Sequence, residues 1–530
     1  MTLAIDFGTS NTVISRWNAA LQRPETVALP GLSLVLGNDP PLVPSLAYVE
    51  RRGPEGLVVG QAVRDRGLDV TTDPRFFRNV KRGIGVPWRG FLPEIDGQTV
   101  TFDQVGQWFL EAVLTQAKAE TNEADCLVFT VPVDSFEAYR LWLGELAERL
   151  EFGQVRMIDE PTAAALGYGL TQEKTLLVMD FGGGTLDWSL VQLATPVEKA
   201  PMGFMLKWGR KPADQPSTQK PQTARVLAKA GENLGGADID NWLVDYFHQT
   251  QGIPISALTQ RLAERLKIRL SEAPTAQEVY FDDTAFDTYD LSLNRDQFDQ
   301  ILHQHQFFDR LEASLNQVLQ QARRQGVAPE DIEAVLLVGG TAQIPAVQAW
   351  VQQRFPAEKI KADRPFEAVA QGALQVNLGL EVEDFLYHSY GIRYWDRRNN
   401  CHGWHPIIQQ GQPYPMAQPV EITLGASVEK QPSLELILGE LGEAATQTEV
   451  YFENGRLVTR QLSEANRSVQ PLNDKDGART IAQLNPPGFP GSDRVRVLFF
   501  VDADRLLRIT VEDILTGDTL MTNQAVVKLS

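Results

Sequence analysis

Three aspartates set in two similar glycine turns are the first chemical signal in this chain. Leu3-Ala4-Ile5-Asp6-Phe7-Gly8-Thr9-Ser10-Asn11-Thr12-Val13-Ile14 reads as an apolar strand, an acidic end, a glycine turn and a second strand. Leu177-Val178-Met179-Asp180-Phe181-Gly182-Gly183-Gly184-Thr185-Leu186-Asp187-Trp188 repeats that grammar. Glycines in such a turn let backbone N–H groups face an anion, and no Cβ blocks its approach. Two such turns can grip one polyphosphate from both sides. Asp6, Asp180 and Asp187 would repel those phosphates unless a hard cation lay between, and Mg²⁺ that keeps several waters suits carboxylates so placed. Thr9 and Thr185 add hydroxyls to the same turns. One Asp-Phe-Gly alone is more often a plain hairpin turn. Its recurrence at domain-sized spacing favours a duplicated α/β unit whose two lobes face each other.

Two further segments fit that frame. The apolar strand Ala334-Val335-Leu336-Leu337-Val338 runs into Gly339-Gly340-Thr341 and then Ile344-Pro345 at a helix start, a place where an anion or a ribose can sit. Glu160-Pro161-Thr162-Ala163-Ala164-Ala165 opens a helix with proline in its first turn, and its small residues allow close packing between lobes. Taken alone, the first is an ordinary loop and the second an ordinary alanine-rich helix as readily as a site.

The chain that must carry these residues has 530 of them, several times the ~150 of a typical domain, so more than one core is expected. A net charge of −19 disfavours a binder of DNA, RNA or anionic membrane. With 43% hydrophobic and 22% charged residues the chain reads as globular rather than disordered or fibrous. Only Cys126 and Cys401 are present, which excludes a disulfide framework and suits a reducing compartment. The start lacks the basic and apolar regions of a signal peptide, and no run approaches the ~20 apolar residues of a membrane span. A cytoplasmic location is expected.

The motifs together resemble an Hsp70-type (DnaK-like) molecular chaperone. The resemblance rests on Ile5 to Asn11, Thr130-Val131-Pro132, Asp159 to Leu166, Asp180 to Asp187 and Val338 to Thr341, with support from Val43-Pro44-Ser45, Val59 to Ala62, Val80 to Gly85, Asn233 to Asp240 and Glu264 to Ser271. It implies an actin-like two-lobed nucleotide-binding domain over residues 1–380, built from duplicated ribonuclease-H-like units, with ATP or ADP and Mg²⁺ in the cleft and K⁺ as a further ion. Carried over, Asp6, Asp180 and Asp187 surround the metal, largely through water. Lys81, Glu160, Asp180, Asp187 and Thr185 form the catalytic set of a slow ATPase. Gly8, Thr9, Ser10, Asn11, Gly182, Gly183 and Gly184 form the phosphate loops. Gly235, Gly236, Glu264, Lys267, Ser271, Gly339, Gly340, Thr341 and Gln343 contact the nucleotide. A lysine is a movable point charge suited to a developing phosphoryl charge, and a carboxylate near a metal can position water.

Two departures stand out. Ala342-Gln343 replaces the family's Thr-Arg, which removes a guanidinium that stacks on adenine, and Arg364-Pro365-Phe366-Glu367 replaces Asn-Pro-Asp-Glu, which removes an acid near the cleft. Weaker base affinity and altered monovalent-cation dependence are the expected results.

Beyond a linker at 381–390 the texture becomes strand-like, with Leu434 to Leu438, Val495 to Val501 and Leu507 to Val511, and turns at Asn454-Gly455 and Asp502-Ala503-Asp504. Residues 391–530 are expected to form a β-sandwich. Phe499 to Val511 resembles the last hairpin of the family's peptide-binding sandwich. Ile407-Ile408 with Gln412 to Pro415 resembles an early strand and turn beside its apolar pocket, though either isoleucine serves equally as ordinary core. The resemblance implies unfolded or extended polypeptides as clients, with a J-domain protein and a nucleotide-exchange factor as partners. The chain ends soon after a strand-like run, so the sandwich is expected to lack the helical lid and to release peptide quickly. Glu381 to His388 replaces the family's aliphatic linker, which leaves coupling between the domains open. Trp208 to Thr223 reads as a proline-rich hairpin extension, and Cys401-His402-Gly403-Trp404-His405 as a loop, since zinc needs a fourth ligand. The alternatives are a nucleotide-sensing scaffold for one partner with little hydrolysis, and a filament former or sugar kinase on the same fold.

Overall fold

The computed structural model describes residues 2–18, 20–35, 37, 39–70, 73–84, 88–90, 92–121, 124–132, 137–150, 152–169, 174–194, 205–209, 223–282, 286–375, 386, 389–396, 401–409, 412, 414–416, 418–441, 447–453, 456–462, 469–472, 479–502 and 505–529. The chain divides into two compact units. The first comprises Met1–Lys199, Gly203–Val382 and Thr448–Arg460, and the second Ala200–Met202, Glu383–Gln447 and Gln461–Ser530.

The first unit contains the same sheet twice. In one copy the strands run Gln154–Asp159, Cys126–Val131, Thr2–Phe7, Asn11–Asn18 and Arg23–Thr26. In the other they run Ile360–Lys361, Ala334–Val338, Lys174–Phe181, Leu186–Ala194 and Thr223–Glu232. Each centres on a strand that turns back antiparallel through an Asp-Phe-Gly hairpin and pairs on its other side in parallel, Ile5 opposite Phe129 and Asp180 opposite Val338. Strands flanked on both sides and covered on both faces must be apolar throughout. Leu3, Ala4, Ile5, Leu176, Leu177, Val178 and Met179 are accordingly buried without remainder.

A helix follows Gln154–Asp159 in the first copy and Ile360–Lys361 in the second. Glu160–Gly167 begins where Asp159 accepts a hydrogen bond from the Thr162 backbone at 2.9 Å and Pro161 fills the first turn. Its counterpart is Ala368–Ala373. The two helices cross at glycine: a Cβ on Gly167 would strike the backbone of Ala368, and one on Gly372 would strike that of Ala163. The small residues of the 160–165 segment therefore serve close packing between the lobes. Further out, Gly236–Gln251, Ala257–Glu272 and Phe307–Arg324 cover the second sheet around Trp188, Phe247, Leu266 and Leu315.

Of the hairpin extension expected at 208–223, only the two ends lie among the described residues. Met205–Gly209 pairs antiparallel with Gln154–Asp159 of the first sheet, whereas Thr223–Glu232 pairs with Leu186–Ala194 of the second. Each of these two strands extends the ladder of a different sheet. Residues 210–222 lie outside the described residues.

The second unit is built of antiparallel strands. One sheet holds Ser389–Asp396, Cys401–Ile408, Leu438–Leu441 and Val469–Pro471, another holds Val420–Gly425, Asp493–Val501, Leu506–Asp513 and Thr519–Lys528, and a two-stranded piece pairs Gln431–Leu436 with Arg479–Gly488. Their inward residues, among them Tyr390, Ile408, Leu438, Val497, Phe499 and Ile509, form one core. Ile407 and Ile408 both belong to it. The 499–511 hairpin is present, with Phe499 opposite Ile509 and the Leu506 backbone bonded to Asp502 at 2.9 Å. Cys401 to His405 is strand rather than loop, paired so that His402 faces Trp395 and His405 faces Ile392. Regular pairing with Ser389–Asp396 supplies the backbone partners that a loop would lack. The 454–455 turn and, apart from Leu386, the 381–388 linker lie outside the described residues.

Candidate functional site

The two glycine turns meet face to face. A Cβ added to Gly183 would land on the Ser10 hydroxyl, and one added to Gly184 would land on the Thr9 hydroxyl. The first turn is braced from behind, where the Ser45 hydroxyl donates to the Gly8 carbonyl at 2.7 Å and the Ser45 amide donates to the Ser10 carbonyl at 2.8 Å. A Cβ on Gly8 would strike the Asn11 carbonyl. The second turn is closed by the Gly182 amide donating to the Thr185 carbonyl at 3.1 Å.

Behind the second turn stands the start of the helix Gly236–Gln251. The Gly236 amide donates to the Gly182 carbonyl at 3.1 Å and the Ala237 amide to the Gly183 carbonyl at 2.9 Å. The Thr341 hydroxyl donates to the same Gly182 carbonyl at 2.7 Å. Gly339 takes φ 86° directly against the Phe181 carbonyl, a conformation and a closeness that together require glycine. The sequence-predicted residues of four distant segments, 8–11, 182–185, 235–236 and 339–341, thus form one glycine-lined cradle.

The acids sit at its edge. Asp6 and Asp180 end the two central strands, and Asp187 lies opposite Asp180 across the hairpin. Glu160, at the start of its helix, accepts a hydrogen bond from Lys81 Nζ at 3.0 Å. Burial first, and Glu160 second, push the Asp6 carboxyl up to about 7, against the pull of Lys81 and of the Thr130 hydroxyl, which donates to it at 3.1 Å. Burial and the neighbouring charges of Glu160, Asp6 and Asp187 likewise raise Asp180 well above the usual carboxylate range. Burial would lower Lys81, but the acids outweigh it and hold the ammonium charged. Acids crowded together out of water in this way stand to gain from a nearby cation. Among the described residues no group of three or more histidines, cysteines or acids stands close enough to grasp a metal directly.

Lys267 and Glu264 project from the next helix. Lys267 Nζ lies 2.7 Å from Asp240 and donates to the Gly236 carbonyl at 2.9 Å. Glu264 is bound by Arg64 at 3.2 Å, and Arg64 with Arg78 and Lys267 outweighs burial to keep its carboxyl low. Ser271 donates its hydroxyl to the Lys267 carbonyl at 3.2 Å. Gln343 makes one weak contact, to Gln348 at 3.5 Å, and its amide nitrogen is buried without a partner. Phe366 packs on the Val13, Leu42 and Ala370 cluster, with its ring 3.2 Å from the position of a Gly340 Cβ.

One residue that sequence reasoning did not single out ties the lobes together. Arg82, beside Lys81, donates to the Gly184 carbonyl at 2.6 Å and to both oxygens of Asp238 at 2.6 and 3.3 Å. Asp238 in turn accepts the Gly235 amide at 2.9 Å. A buried arginine offers a fork of donors to a carboxylate and a carbonyl together, so Arg82 links the second glycine turn to the helix behind it. The only sequence signal was its place next to Lys81.

The family model described as Hsp70 protein matches residues 91–199 and 223–388, just over half of the chain. The chain is 27% identical over 506 residues to the chaperone protein dnaK1 of Synechocystis sp. (strain ATCC 27184 / PCC 6803 / Kazusa), a match that covers 87% of this chain and 64% of that protein. It therefore spans less than two thirds of that relative's length. No helix among the described residues is long and apolar enough to cross a membrane. The paired glycine turns, the acids at their edge and the match over more than half its length place this chain in the Hsp70 family.

Proposed function

We propose that this Hsp70-family chain binds ATP with Mg²⁺ between its two lobes, hydrolyses it slowly, and uses its sandwich unit to hold unfolded or extended polypeptide. The observation that carries the reading is the meeting of the 8–11 and 182–185 turns, with Thr9 and Ser10 against Gly184 and Gly183. Opposed backbone amides with no intervening Cβ suit a polyphosphate. The residues also fit the metal: raised, mutually repelling acids gain from a divalent ion. Mg²⁺, when bound, would neutralise phosphate charge and order the attacking water.

The chain's own residues supply the rest. Thr9, Ser10, Gly183 and Gly184 hold phosphate oxygens. Asp6, Asp180 and Asp187 hold the hydrated ion, and K⁺ is a candidate for a second cation position. Glu160 and Asp187 accept hydrogen bonds that orient water, Thr185 adds a hydroxyl, and Lys81 answers the charge that builds on the transferred group. Glu264, Lys267, Ser271 and the Gly339 to Gln343 turn face the nucleoside. For the sandwich, backbone pairing along a strand edge beside an apolar pocket is the mode of capture. A J-domain protein and a nucleotide-exchange factor are the expected partners, in the cytoplasm, over a domain plan of 1–380, 381–390 and 391–530.

Gln343 and Phe366 favour one second reading, a nucleotide-sensing scaffold with little hydrolysis. Single-turnover hydrolysis of MgATP by the full chain, with and without an unstructured apolar peptide, separates the two. Hydrolysis with peptide capture supports the chaperone. Tight nucleotide binding without turnover or peptide capture supports the scaffold, and no nucleotide binding rejects both.

A further inference from the structure

The cluster around Lys81 contains a hydroxyl that the mechanism above does not use. Tyr139, on the helix Glu137–Arg149, is only 5% exposed. Its ring stacks on Trp142 at 5.6 Å, and Trp142 lies 6.5 Å from Phe7, in the strand that carries Asp6. Its hydroxyl has no hydrogen-bond partner. The charges it feels are those of Lys81, Glu160 and Asp6. A buried hydroxyl without a partner is unfavourable, and a native structure tolerates one where another state uses it.

The same cluster shows what that state requires. Glu160 has Lys81 as its cation, at 3.0 Å. A lysine that turns toward a phosphate gives up that carboxylate, which is then buried beside Asp6 and Asp180 with no compensating donor. Tyr139, whose hydroxyl interacts electrostatically with Glu160, carries an O–H that no other group uses.

We propose that Tyr139 is a positioning residue for Glu160: its hydroxyl takes over the hydrogen bond to the Glu160 carboxylate when Lys81 is engaged by the terminal phosphate of ATP. The inference rests on the ATP reading of this site. It makes Glu160 a group held by two donors in turn.

Tyr139→Phe keeps the ring and its stack and removes only the donor. Thermal unfolding of the full chain is measured without nucleotide, with MgADP and with MgATP, alongside single-turnover hydrolysis and ATP affinity. The expected result is an unchanged or higher Tm without nucleotide, a smaller increment from MgATP with the MgADP increment retained, an ATP affinity weakened to match that smaller increment, and hydrolysis reduced about 10-fold. In a Glu160→Gln background, Tyr139→Phe is expected to have no further effect on hydrolysis. A lower Tm without nucleotide, or an unaltered MgATP increment and rate, overturns the proposal and leaves the ATP site standing. A wild-type chain whose Tm responds to neither nucleotide removes the ATP reading and this inference with it.

Discussion

Removing Arg82 tests whether the bridge between the second phosphate turn and its supporting helix is a structural necessity. The Arg82 side chain is 4% exposed and that of Asp238 is 14%. Taking one partner from a buried pair costs about 3–5 kcal/mol, because the other charge is left uncompensated. Asp238 keeps the Gly235 amide at 2.9 Å and some contact with water, which places Arg82→Ala near the lower end, at about 3 kcal/mol. Unfolding entropy is about 2 cal/mol/K per residue, so over the several hundred residues of the first unit this loss lowers Tm by about 4 °C. Calorimetry of the wild type, Arg82→Ala and Arg82→Ala with Asp238→Asn checks the size and the cause. Neutralising Asp238 in the absence of Arg82 should restore about 1 kcal/mol or more, since it removes the stranded charge. A Tm for Arg82→Ala equal to that of the wild type would refute the reasoning, and a double variant as unstable as the single one would show that packing, not charge, was lost.

Three more expectations follow from the site. Lys81→Ala should retain nucleotide but slow hydrolysis by roughly 10²-fold, seen in single-turnover assays; unchanged turnover rejects its role. Gln343→Arg should supply a stacking cation for adenine and tighten ATP by on the order of 1 kcal/mol, measured by titration calorimetry, and equal affinities would mean that other side chains already fill that place. Asp6, raised to about 7 from 3.8 mainly by burial, holds its proton more tightly folded than unfolded. Stability without metal or nucleotide should therefore fall as pH rises from about 4 to about 7, and thermal unfolding of Asp6→Asn should show a flatter slope over that range. A slope unaltered in Asp6→Asn would locate the titration elsewhere.

The parts of this molecule that were legible in the sequence are those where a local motif and a local geometry coincide. Asp6 and Asp180 could be placed at strand ends because an apolar run, an acid and glycines allow little else, and Gly339 because a strand running into two glycines must turn. Arg82 was not legible, since its meaning lies in Gly184 and Asp238, more than a hundred residues away, and a single arginine carries no pattern. Tyr139 was hidden for the same reason, in a segment that reads as a plain amphipathic helix. Glu264 and Lys267 were reached through the family resemblance, but not as partners of Arg64 and Asp240. The pairing of Met205–Gly209 was not legible, because the choice of edge depends on which sheet offers an open ladder.

The glycine crossing of the two central helices has the form of a two-fold dimer contact contained in one polypeptide. Superimposing the second half of the sequence on the first carries Ala163 onto Ala368 and Gly167 onto Gly372. Under that exchange the contact of Gly167 with Ala368 becomes the contact of Gly372 with Ala163, and both are present. This reciprocity defines an isologous interface, where one patch on two copies is its own complement. In a true homodimer a mutation alters both contacts at once. In one fused chain each half can differ: 160–167 carries three consecutive alanines where its mate reads Ala368-Val369-Ala370-Gln371, while both keep the glycine held by the backbone it touches.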